Sequence, residues 1–577
     1  MPGITNHKSY LVKAAMANFM SRAYSHYKIT IEKVIGTHLG KPVWSHIMFH
    51  FDSKVELLCP GTKLPSSVTL SWDIKLIHTQ YIPKVWEYFK SILGAIHFAI
   101  DGWTSPTSES YLGVVVIWYA KAHTHCCILE FICLTLAHTG AYLAEKIASC
   151  LQQYRLENCI LAACLDNASN NLTLVQNLGQ LVPQFHGAQS YVHCMAHIVN
   201  LMAKAFMSLF TCPNLPQELQ DAQAIMTTVS NLACRVDKLP TLKSEFRKYL
   251  CACPKLKEST QHSLSCRVAT CWNSDQKTLD NYLYLWHPVK MLTNNPGLNL
   301  NHFALNTTQR WLAEELNKAL EVFELPTQHF SSGSVPLVHQ VLPALVELKD
   351  ALTAMCNSSN ISPVTRVGAQ AALNVYNKYM ENLSICKVYY ISLAMCPDVK
   401  LSWFYQHYNA PSVEAICQMI LARFCISYPP SNDPITSSSQ LPEPTSKPRN
   451  RWLQGHSLTS STGTTAPAFA SLNSDSIEAY LSSSVESVAP YGGAMEYWSS
   501  KLNSNPRLAR MALDYLTAPA TSVDAERAFS AGRLTINHLQ HNMSSETFEA
   551  KMAVGSWYGT PLLPEISDVA AIICESM

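Results

Sequence analysis

Residues 97–136 read HFAIDGWTSPTSESYLGVVVIWYAKAHTHCCILEFICLTL, and the fold class follows from how the apolar residues are grouped. Three apolar runs of strand length, rich in β-branched and aromatic residues, occupy 97–101, 112–118 and 127–136. The polar segment 120–125 between the second and third runs predicts a turn, and therefore a β-hairpin. The pattern indicates three consecutive antiparallel strands.

The residues that follow alternate between helix and strand patterns. Residues 142–154 and 171–181 carry apolar residues at helical spacing, whereas 159–165 is a continuous apolar run, as in a strand buried on both faces. A short strand at 191–194 and a helix at 197–210 complete the series. Three antiparallel strands followed by helix, strand, helix, strand and helix is the order of a ribonuclease H-like fold, so we expect a mixed sheet.

The remainder of the chain has mainly helical periodicity. Residues 1–90 read as a helical N-terminal region, 91–212 as the first part of the α/β core, and 213–426 as a large helical insertion. Residues 427–474 read as a linker rich in Pro, Ser and Thr, and 475–577 resume the helical pattern. The predicted fold class is therefore α/β plus all-α.

Composition excludes several classes of protein. Lys and Arg total 42 against 41 Asp and Glu, so the formal charge of +1 excludes a strongly basic coat protein or an acidic tail protein. The 20 cysteines are scattered, without repeated C-x-x-C pairs, and predict no structural zinc or disulfide framework. Neither the N-terminus nor the longest apolar stretch, 111–120, fits a signal peptide or a membrane span. We expect an intracellular protein with no membrane partner.

Two aspartates stand where predicted strands end. Asp101 is followed by Gly102, and Asp166 by Asn167. Because the two strands are neighbours in the predicted fold, both carboxylates would lie at the same edge of the sheet, where two divalent ions could clamp a phosphoryl displacement. The alternative is structural: Asp-Gly is a common turn, and Asp-Asn-Ala-Ser before a helix is a common N-cap.

Two further motifs have competing interpretations. Cys194 and His197 form a C-x-x-H element that could supply half of a zinc site or a Cys-His dyad, although packing of sheet against helix is the simpler interpretation. In the segment 519–530, Ser522 is a candidate N-cap, so Glu526 could serve the first turn of a helix or be a third carboxylate at the metal site.

Taken together, these segments resemble the hAT family of transposases. Five motifs carry the resemblance, in this order: Asp101-Gly-Trp-Thr-Ser105, Asp166-Asn-Ala-Ser-Asn170, Cys194-Met-Ala-His-Ile-Val-Asn-Leu201, Trp272-Asn-Ser274 and Thr521-Ser-Val-Asp-Ala-Glu-Arg-Ala-Phe-Ser530. They extend over most of the chain. The resemblance implies a ribonuclease H-like core that is split by the helical insertion, and a C-terminal dimerisation region that completes the core.

The resemblance also implies an activity and a set of site residues. Asp101, Asp166 and Glu526 would be the catalytic carboxylates, binding Mg²⁺ or Mn²⁺ for cleavage of DNA phosphodiesters and strand transfer. Site-adjacent, DNA-binding positions would be Cys194, His197, Trp272 and Arg527. The expected partners are DNA and a second copy of the chain, and the expected location is the nucleus.

The sequence departs from the family pattern in two places. No cysteine precedes Cys59, so we expect no N-terminal BED zinc finger, and Cys271 stands where the family has arginine. A decayed or domesticated, catalytically inactive dimer that binds DNA or protein is therefore the alternative to an active transposase. For the dimer interface, an apolar face is a candidate, with core packing as the alternative. It comprises Trp498, Leu508, Met511, Leu513 and Tyr515.

Overall fold

The computed structural model describes most of the chain after residue 66. The described residues are 67–105, 108–211, 216–222, 225–256, 261–266, 272–331, 337–430, 475–527, 543–565, 568–569 and 572–573. Three features of the sequence lie outside them: most of the N-terminal region, Cys271, and all but the first residues of the linker.

A five-stranded mixed sheet forms the centre of the α/β core. Its strands are β1 (Ile96–Thr104), β2 (Ser110–Ala120), β3 (His123–Leu134), β4 (Ile160–Leu165) and β5 (Tyr191–His193). The spatial order is β3-β2-β1-β4-β5, with β1, β2 and β3 antiparallel and β4 and β5 parallel to β1. The predicted order of elements along the chain, the pairing of three antiparallel strands and the mixed sheet are confirmed.

The hairpin between β2 and β3 is tighter than the sequence suggests. Ala120 pairs with His123, so the turn contains only Lys121 and Ala122, whose φ angles are 52° and 62°. Two positive φ angles are the geometry of a two-residue turn whose twist matches that of the strands. Neither residue is glycine or asparagine, which is why the six-residue polar segment looked like a longer loop.

Four helices with the sheet enclose the main hydrophobic core. They are α1 (Ser67–Lys90), α2 (Gly140–Gln153), α3 (Asn171–Leu181) and, from the end of the chain, a helix at Ser545–Trp557. On β1, Ile96, Phe98 and Ile100 face this core. Since side chains alternate along a strand, His97 and Asp101 lie on the opposite face. One continuous helix, α1, thus forms the end of the predicted helical N-terminal region.

Further helices follow the first part of the core. They are α4 (Met195–Thr211), α5 (Ile225–Lys238), α6 (Pro240–Cys251), α7 (Trp272–Tyr284), α8 (Trp286–Thr293), α9 (Thr307–Ser331), α10 (Val341–Asn357), α11 (Pro363–Leu383) and α12 (Lys387–Ala394). The fold class predicted from the sequence, α/β plus helical, is confirmed. The predicted domain boundaries at 90, 212, 426 and 474 stay predictions.

The chain divides into two compact units, of which the smaller comprises Cys396–Leu513. Its helices are α13 (Ser402–His407), α14 (Ala410–Ser427), α15 (Ile477–Ser482), α16 (Ala494–Ser500) and the start of α17 (Pro506–Leu516). Buried Lys400 ties this unit together, since its Nζ donates to Ser483 Oγ at 2.6 Å and to the Ser484 carbonyl at 2.7 Å. By length and composition alone, α14 could cross a membrane, although its sequence gave no such prediction.

The candidate dimer face is core. All five of its residues are at most 4% exposed within the chain, namely Trp498, Leu508, Met511, Leu513 and Tyr515. Their apolar surface is already removed from water by the chain's own packing, so it is not available to a second copy. The alternative of core packing is therefore confirmed.

The last long helix, α18 (Ser545–Trp557), closes one edge of the sheet. Strand β3 is an edge strand, and unpaired backbone groups on such an edge invite pairing with other chains. Side chains of α18 occupy them: Ser556 Oγ accepts the Ile128 N–H at 2.7 Å, and Trp557 Nε1 donates to the Ile128 carbonyl at 2.9 Å. Glu549 likewise accepts the Cys133 N–H at 3.1 Å. These contacts make the end of the C-terminal region part of the α/β core, and α18 begins after its N-cap Ser544.

Candidate active site

The two aspartates lie side by side at the carboxyl end of the parallel pair β1–β4. Ala99 and Cys164 are the last residues that pair between these strands, and each aspartate follows two residues later. Neighbouring strands are about 4.8 Å apart, so equal offsets bring Asp101 and Asp166 to the same edge. The register of the sheet therefore produces the juxtaposition that the sequence predicted.

Asp101 is half-buried near the end of β1. Its Oδ1 accepts the N–H of Gly102 at 2.9 Å. A Cβ added at Gly102 would find no atom within 4 Å, so the face of β1 opposite the carboxylate is open at this position. The residue belongs to a regular strand pair, opposite Gly113, rather than to the turn that Asp-Gly could form.

Asp166 is fixed by its own loop. Its Oδ1 accepts the N–H of Ala168 at 3.1 Å and Asn171 Nδ2 at 2.5 Å. Its backbone carbonyl accepts Asn171 Nδ2 at 2.8 Å and the Tyr191 hydroxyl at 2.7 Å. The helix that follows begins at Asn171 with Asn170 as N-cap, so Asp166 is not the cap that the structural interpretation required. These bonds hold the carboxylate at the sheet edge.

Glu526 reaches the same edge because the C-terminal segment runs back across the sheet. Asp514 Oδ1 accepts the N–H of Ala95 at 2.8 Å, and Thr517 Oγ1 lies 3.2 Å from Nε2 of buried His97. The Ala520 carbonyl then accepts the Met195 N–H at 2.9 Å. This path follows the face of β1 that carries Asp101.

The last step of that path uses Cys194 and Ser522. The Ser522 N–H donates to Cys194 Sγ at 3.4 Å, and the Ser522 carbonyl accepts the Glu526 N–H at 3.0 Å in the helical segment 523–527. Both interpretations of Glu526 are therefore compatible, since it lies in the first turn of a helix and near the aspartates. Residues 528–530 of this motif lie outside the described part of the chain.

The ionisation of Asp101 and of Glu526 is influenced by the neighbouring carboxylates. Burial, then the charge of Glu526 and to a lesser extent that of Asp166, raises the pKa of Asp101 to about 6. Loss of hydration around its carboxyl group, followed by the negative charge of Asp166, raises the pKa of Glu526, whereas the positive charge of Arg527 lowers it. Clustered carboxylates that disfavour each other's charge are a frequent property of functional sites.

The donor atoms at this edge suit a hard divalent cation. In the described residues the Oδ2 atoms of Asp101 and Asp166 accept no hydrogen bond, since the bonds above use Oδ1. Carboxylate oxygens are the ligands that Mg²⁺ and Mn²⁺ prefer. The same residues contain no group of three or more His, Cys, Asp or Glu side chains already arranged around a common point. The carboxylates therefore have the chemistry that such a cation requires, but in the described residues they are not already arranged as a three-ligand site.

Cys194 acts by packing rather than by chemistry. The residue is fully buried, burial raises the pKa of its thiol, and its N–H donates to the Leu165 carbonyl at 2.9 Å. His197, in the first turn of α4, is half-buried. Burial lowers the pKa of His197, whereas the negative charge of Asp166 acts in the opposite direction. Of Cys194 and His197, only His197 is exposed enough to contact a ligand near Asp166.

Trp272 and Arg527 contact the helical insertion. Trp272 is 1% exposed; its N–H donates to Asn200 Oδ1 and its Nε1 to Thr327 Oγ1, each at 3.2 Å. Such burial leaves no ring surface for DNA, so its role is to join α4, α7 and α9. Arg527 donates to Asp524 Oδ1 at 3.0 Å and to the Ser331 carbonyl at 2.8 Å. It therefore joins the 523–527 segment to the end of α9.

One group of residues behind Asp166 escaped the sequence reasoning. Nδ1 of buried His193 lies 2.7 Å from Asn167 Oδ1, and the backbone N–H of His193 donates to the Tyr389 hydroxyl at 2.8 Å. The ring packs on Tyr191 with centroids 3.9 Å apart, and burial lowers the pKa of His193 to about 4. A neutral histidine thus braces the Asp166 loop. No local pattern links these positions, because Tyr389 is distant in sequence.

Two protein families match this chain. Residues 99–190 match the ZBED1 RNase-like domain, and residues 477–558 match the hAT family C-terminal dimerisation region. The first match covers β1 to β4 with both aspartates, and the second covers the segment that carries Glu526 and α18.

Similar proteins extend the likeness to most of the chain. A Zea mays protein named as an AC transposase is 22% identical over 529 residues, 88% of this chain and 62% of that protein. A Zea mays protein named as an AC9 transposase is 22% identical over 555 residues, 88% of this chain and 63% of that protein. A Talaromyces stipitatus protein named as the transcriptional regulator tpeD is 32% identical over 115 residues, 18% of this chain and 13% of that protein.

The chain spans less than two thirds of the length of these relatives. The two family regions nevertheless occur in one chain in the order that the motifs predicted. The first lies in the α/β core, and the second begins in the smaller unit and continues into the C-terminal part of the core. Over most of its length the chain is therefore similar to transposases of the hAT family.

Proposed function

We propose that this chain is the catalytic portion of a hAT-type DNA transposase, which cleaves DNA phosphodiesters and transfers strands with a divalent metal. One observation carries the proposal: Asp101, Asp166 and Glu526 come from three separate segments, yet the charges of Glu526 and Asp166 help to raise the pKa of Asp101, and that of Asp166 helps to raise the pKa of Glu526. A purely structural origin for that convergence is unattractive, because like charges brought together cost stability.

Asp101, Asp166 and Glu526 would hold Mg²⁺ or Mn²⁺. When bound, such a cation supplies charge neutralisation at the phosphate and activates the attacking water or hydroxyl. The protein's own residues would position the carboxylates, and the Asn171 amide and the Tyr191 hydroxyl orient Asp166. Asp101 must lose its proton, which its pKa of about 6 permits at neutral pH.

The matched dimerisation region supports self-association of the chain. DNA as substrate and the nucleus as location follow from the proposed activity. With a formal charge of +1, the chain has no overall excess of positive charge for holding DNA phosphates. Its hold on DNA would therefore depend on local basic patches or on the portions of its longer relatives that it does not span.

A second candidate is a catalytically inactive, domesticated dimer that binds DNA or protein. The observation in its favour is that the described carboxylates are not arranged in advance as a three-ligand cluster. The similarity to a protein named as a transcriptional regulator agrees with it over a short region. An assay of metal-dependent cleavage distinguishes the two candidates.

We expect the protein to nick supercoiled plasmid DNA in the presence of Mn²⁺, and Asp166→Asn to abolish this. Loss of one metal-binding carboxylate should cost several kcal/mol of transition-state stabilisation, or about 100-fold or more in rate. Glu145→Gln, on the exposed face of α2, is the matched control and should retain full activity. Equal nicking by the wild-type protein and Asp166→Asn would reject the site; no nicking by either would favour the inactive dimer.

Stability measurements test the metal site without relying on activity. The pKa of Asp101 is raised from 3.8 to about 6, so the folded state loses stability as pH rises through that window. Allowing for partial exposure, Asp101→Asn should raise the free energy of unfolding at pH 8 by about 1–2 kcal/mol without metal. Added Mn²⁺ should stabilise the wild-type protein and Glu145→Gln but not Asp101→Asn. Equal stabilisation of all three by Mn²⁺ would contradict a metal role for Asp101.

A further inference from the structure

Two free cysteines of the helical insertion lie in contact. Cys234 is on α5 and half-buried, whereas Cys266 is in the segment 261–266 and exposed. A hydrogen bond joins their thiols, and the charges of Asp237 and Lys238 also act on Cys266. Positions 234, 237 and 238 share one face of α5, because residues three and four apart on a helix are neighbours. The Cys266 thiol therefore lies against that face of α5.

The segment that carries Cys266 is anchored to α7. The Ser265 N–H donates to Asn281 Oδ1, and Asn281 Nδ2 donates to Gln261 Oε1, each at 2.9 Å. Asn281 is a buried residue of α7, and Leu264, between these contacts, is 5% exposed. Helix α7 in turn packs against α5. Tertiary packing therefore holds the two thiols together, although they are distant in sequence.

The surroundings of the pair favour redox chemistry over metal binding. In the described residues, no third His, Cys, Asp or Glu side chain joins the two thiols in a group that could hold a metal ion. Thiolate sites for metals such as zinc need more than two ligands. Two neighbouring thiols, in contrast, need only an oxidant to form a disulfide. Because Cys266 is exposed, small oxidants and reductants can reach the pair from solvent.

We propose that a hydroperoxide converts Cys234 and Cys266 into a reversible disulfide, which ties the segment 261–266 to α5. The Cys234 thiolate attacks one peroxide oxygen, the O–O bond breaks, and Cys234 becomes a sulfenic acid while the other oxygen leaves as hydroxide or alkoxide. The Cys266 sulfur then attacks the Cys234 sulfur, the S–O bond breaks, and the departing hydroxide takes up the Cys266 proton as water. Two electrons thus pass from the thiols to the peroxide. This disulfide does not depend on the proposed nuclease function.

The hydrogen bond between the thiols sets the order of the two steps. Loss of hydration, followed by the hydrogen bond with Cys234 and the charges of Cys234 and Asp237, raises the pKa of Cys266 to about 11, whereas Lys238 lowers it. Cys266 therefore keeps its proton at neutral pH and is the donor of the hydrogen bond. Cys234 is the acceptor, and a thiolate there is the form that a hydroperoxide oxidises. Cys266 consequently reacts second.

Peptide mapping of the full chain tests the disulfide. The protein is treated with an equimolar amount of hydrogen peroxide, its remaining thiols are blocked, and it is digested without reductant. We expect a cross-linked product of the Cys234 and Cys266 peptides, about 2 Da lighter than the two reduced peptides together, that dithiothreitol removes. Cys425→Ser, which removes an exposed cysteine of α14, should leave the yield of this product unchanged. Cys234 joined to another cysteine, or a disulfide-linked dimer on a non-reducing gel, would overturn the proposal.

Single substitutions test the order of the steps. In Cys266→Ser the second step is blocked, so peroxide should leave Cys234 as a sulfenic acid that dimedone labels. In Cys234→Ser the labelling of Cys266 should be at least about tenfold lower, because its thiol stays protonated. Neither cysteine is fully buried and serine is similar in size, so both variants should keep the unfolding temperature of the wild-type protein. Equal labelling of the two positions would contradict the roles of the two thiols.

Hydrogen exchange measures what the disulfide does to the fold. The new bond links the segment 261–266 directly to α5, so exchange of the Ser265 N–H, which donates to Asn281, should slow at least about tenfold on oxidation. Dithiothreitol should restore the original rate, and peroxide should leave the rate in Cys266→Ser unchanged. An unchanged rate in the oxidised wild-type protein would show that no bond ties this segment to α5, and would overturn the proposal.

Discussion

Trp557→Ala is expected to lower the free energy of unfolding by about 3–5 kcal/mol, the cost of removing a fully buried aromatic side chain from a core. Trp557 is the last residue of α18 and is 0% exposed. Its ring stacks on His78 with centroids 5.3 Å apart and meets Tyr154 edge-on at 6.2 Å. The substitution would therefore loosen α1, α2 and the edge of the sheet together.

Urea unfolding followed by circular dichroism measures the effect, and two variants calibrate it. Trp557→Phe keeps most of the apolar surface but leaves the Ile128 carbonyl without its 2.9 Å donor, and should cost about 1–3 kcal/mol. Trp311→Ala removes an indole that is 51% exposed, and should change stability by about 0.5 kcal/mol or less. If Trp557→Ala cost no more than Trp311→Ala, α18 would not be an integral part of the core.

Glu130→Gln is expected to stabilise the protein at alkaline pH. Glu130 is a buried carboxylate on β3, and burial, assisted by the charge of Glu549, raises its pKa from 4.5 to about 8. The folded state therefore binds a proton that the unfolded state releases, and stability falls as pH rises from about 4.5 to 8. Above pH 8 the buried Glu130 carboxylate is fully ionised and lowers the free energy of unfolding. Replacing it with neutral glutamine should raise that free energy by about 2–4 kcal/mol.

The pH dependence is the decisive readout for Glu130→Gln. Glutamine can still accept the Tyr154 hydroxyl, which lies 2.9 Å from Glu130 Oε2, so the difference from wild type should shrink towards zero near pH 4.5. His78, 4.0 Å from Glu130 Oε1, has a pKa lowered to about 4 by burial. Because of this lowered pKa, His78 makes stability rise with pH between about 4 and 6.5, and it does so in both the wild-type protein and Glu130→Gln. A difference that stays constant from pH 5 to 9 would contradict the raised pKa, as would an equal effect of exposed Glu145→Gln.

Much of the α/β core was predictable because its signals are local. Apolar runs of strand length, the continuous run at 159–165 and the helical spacing at 142–154 each reflect burial on defined faces of one element. The order of these elements then restricts the strand order of the sheet, since consecutive strands pair and crossovers have a fixed hand. The observed order β3-β2-β1-β4-β5 is the result.

Predictions that needed knowledge of a distant partner fared less well. The apolar pattern of 498–515 is the same whether the face packs inside the chain or against a second copy, and only burial distinguished the two. Trp272 is part of a motif, yet its partners Asn200 and Thr327 could not be inferred from its neighbours in sequence.

The sequence by itself determined the strands that end on Asp101 and Asp166, because alternation and burial are written into each short segment. The resemblance to a family also made Glu526 the candidate third carboxylate, but it supplied no physical reason for the position of this residue. Tertiary structure decided the rest: the register that sets Asp101 beside Asp166, and the bonds of Thr517, Ala520 and Ser522 that lead the C-terminal segment to them. Those contacts join residues hundreds of positions apart, and their energies depend on the distances and burial that only the folded chain creates.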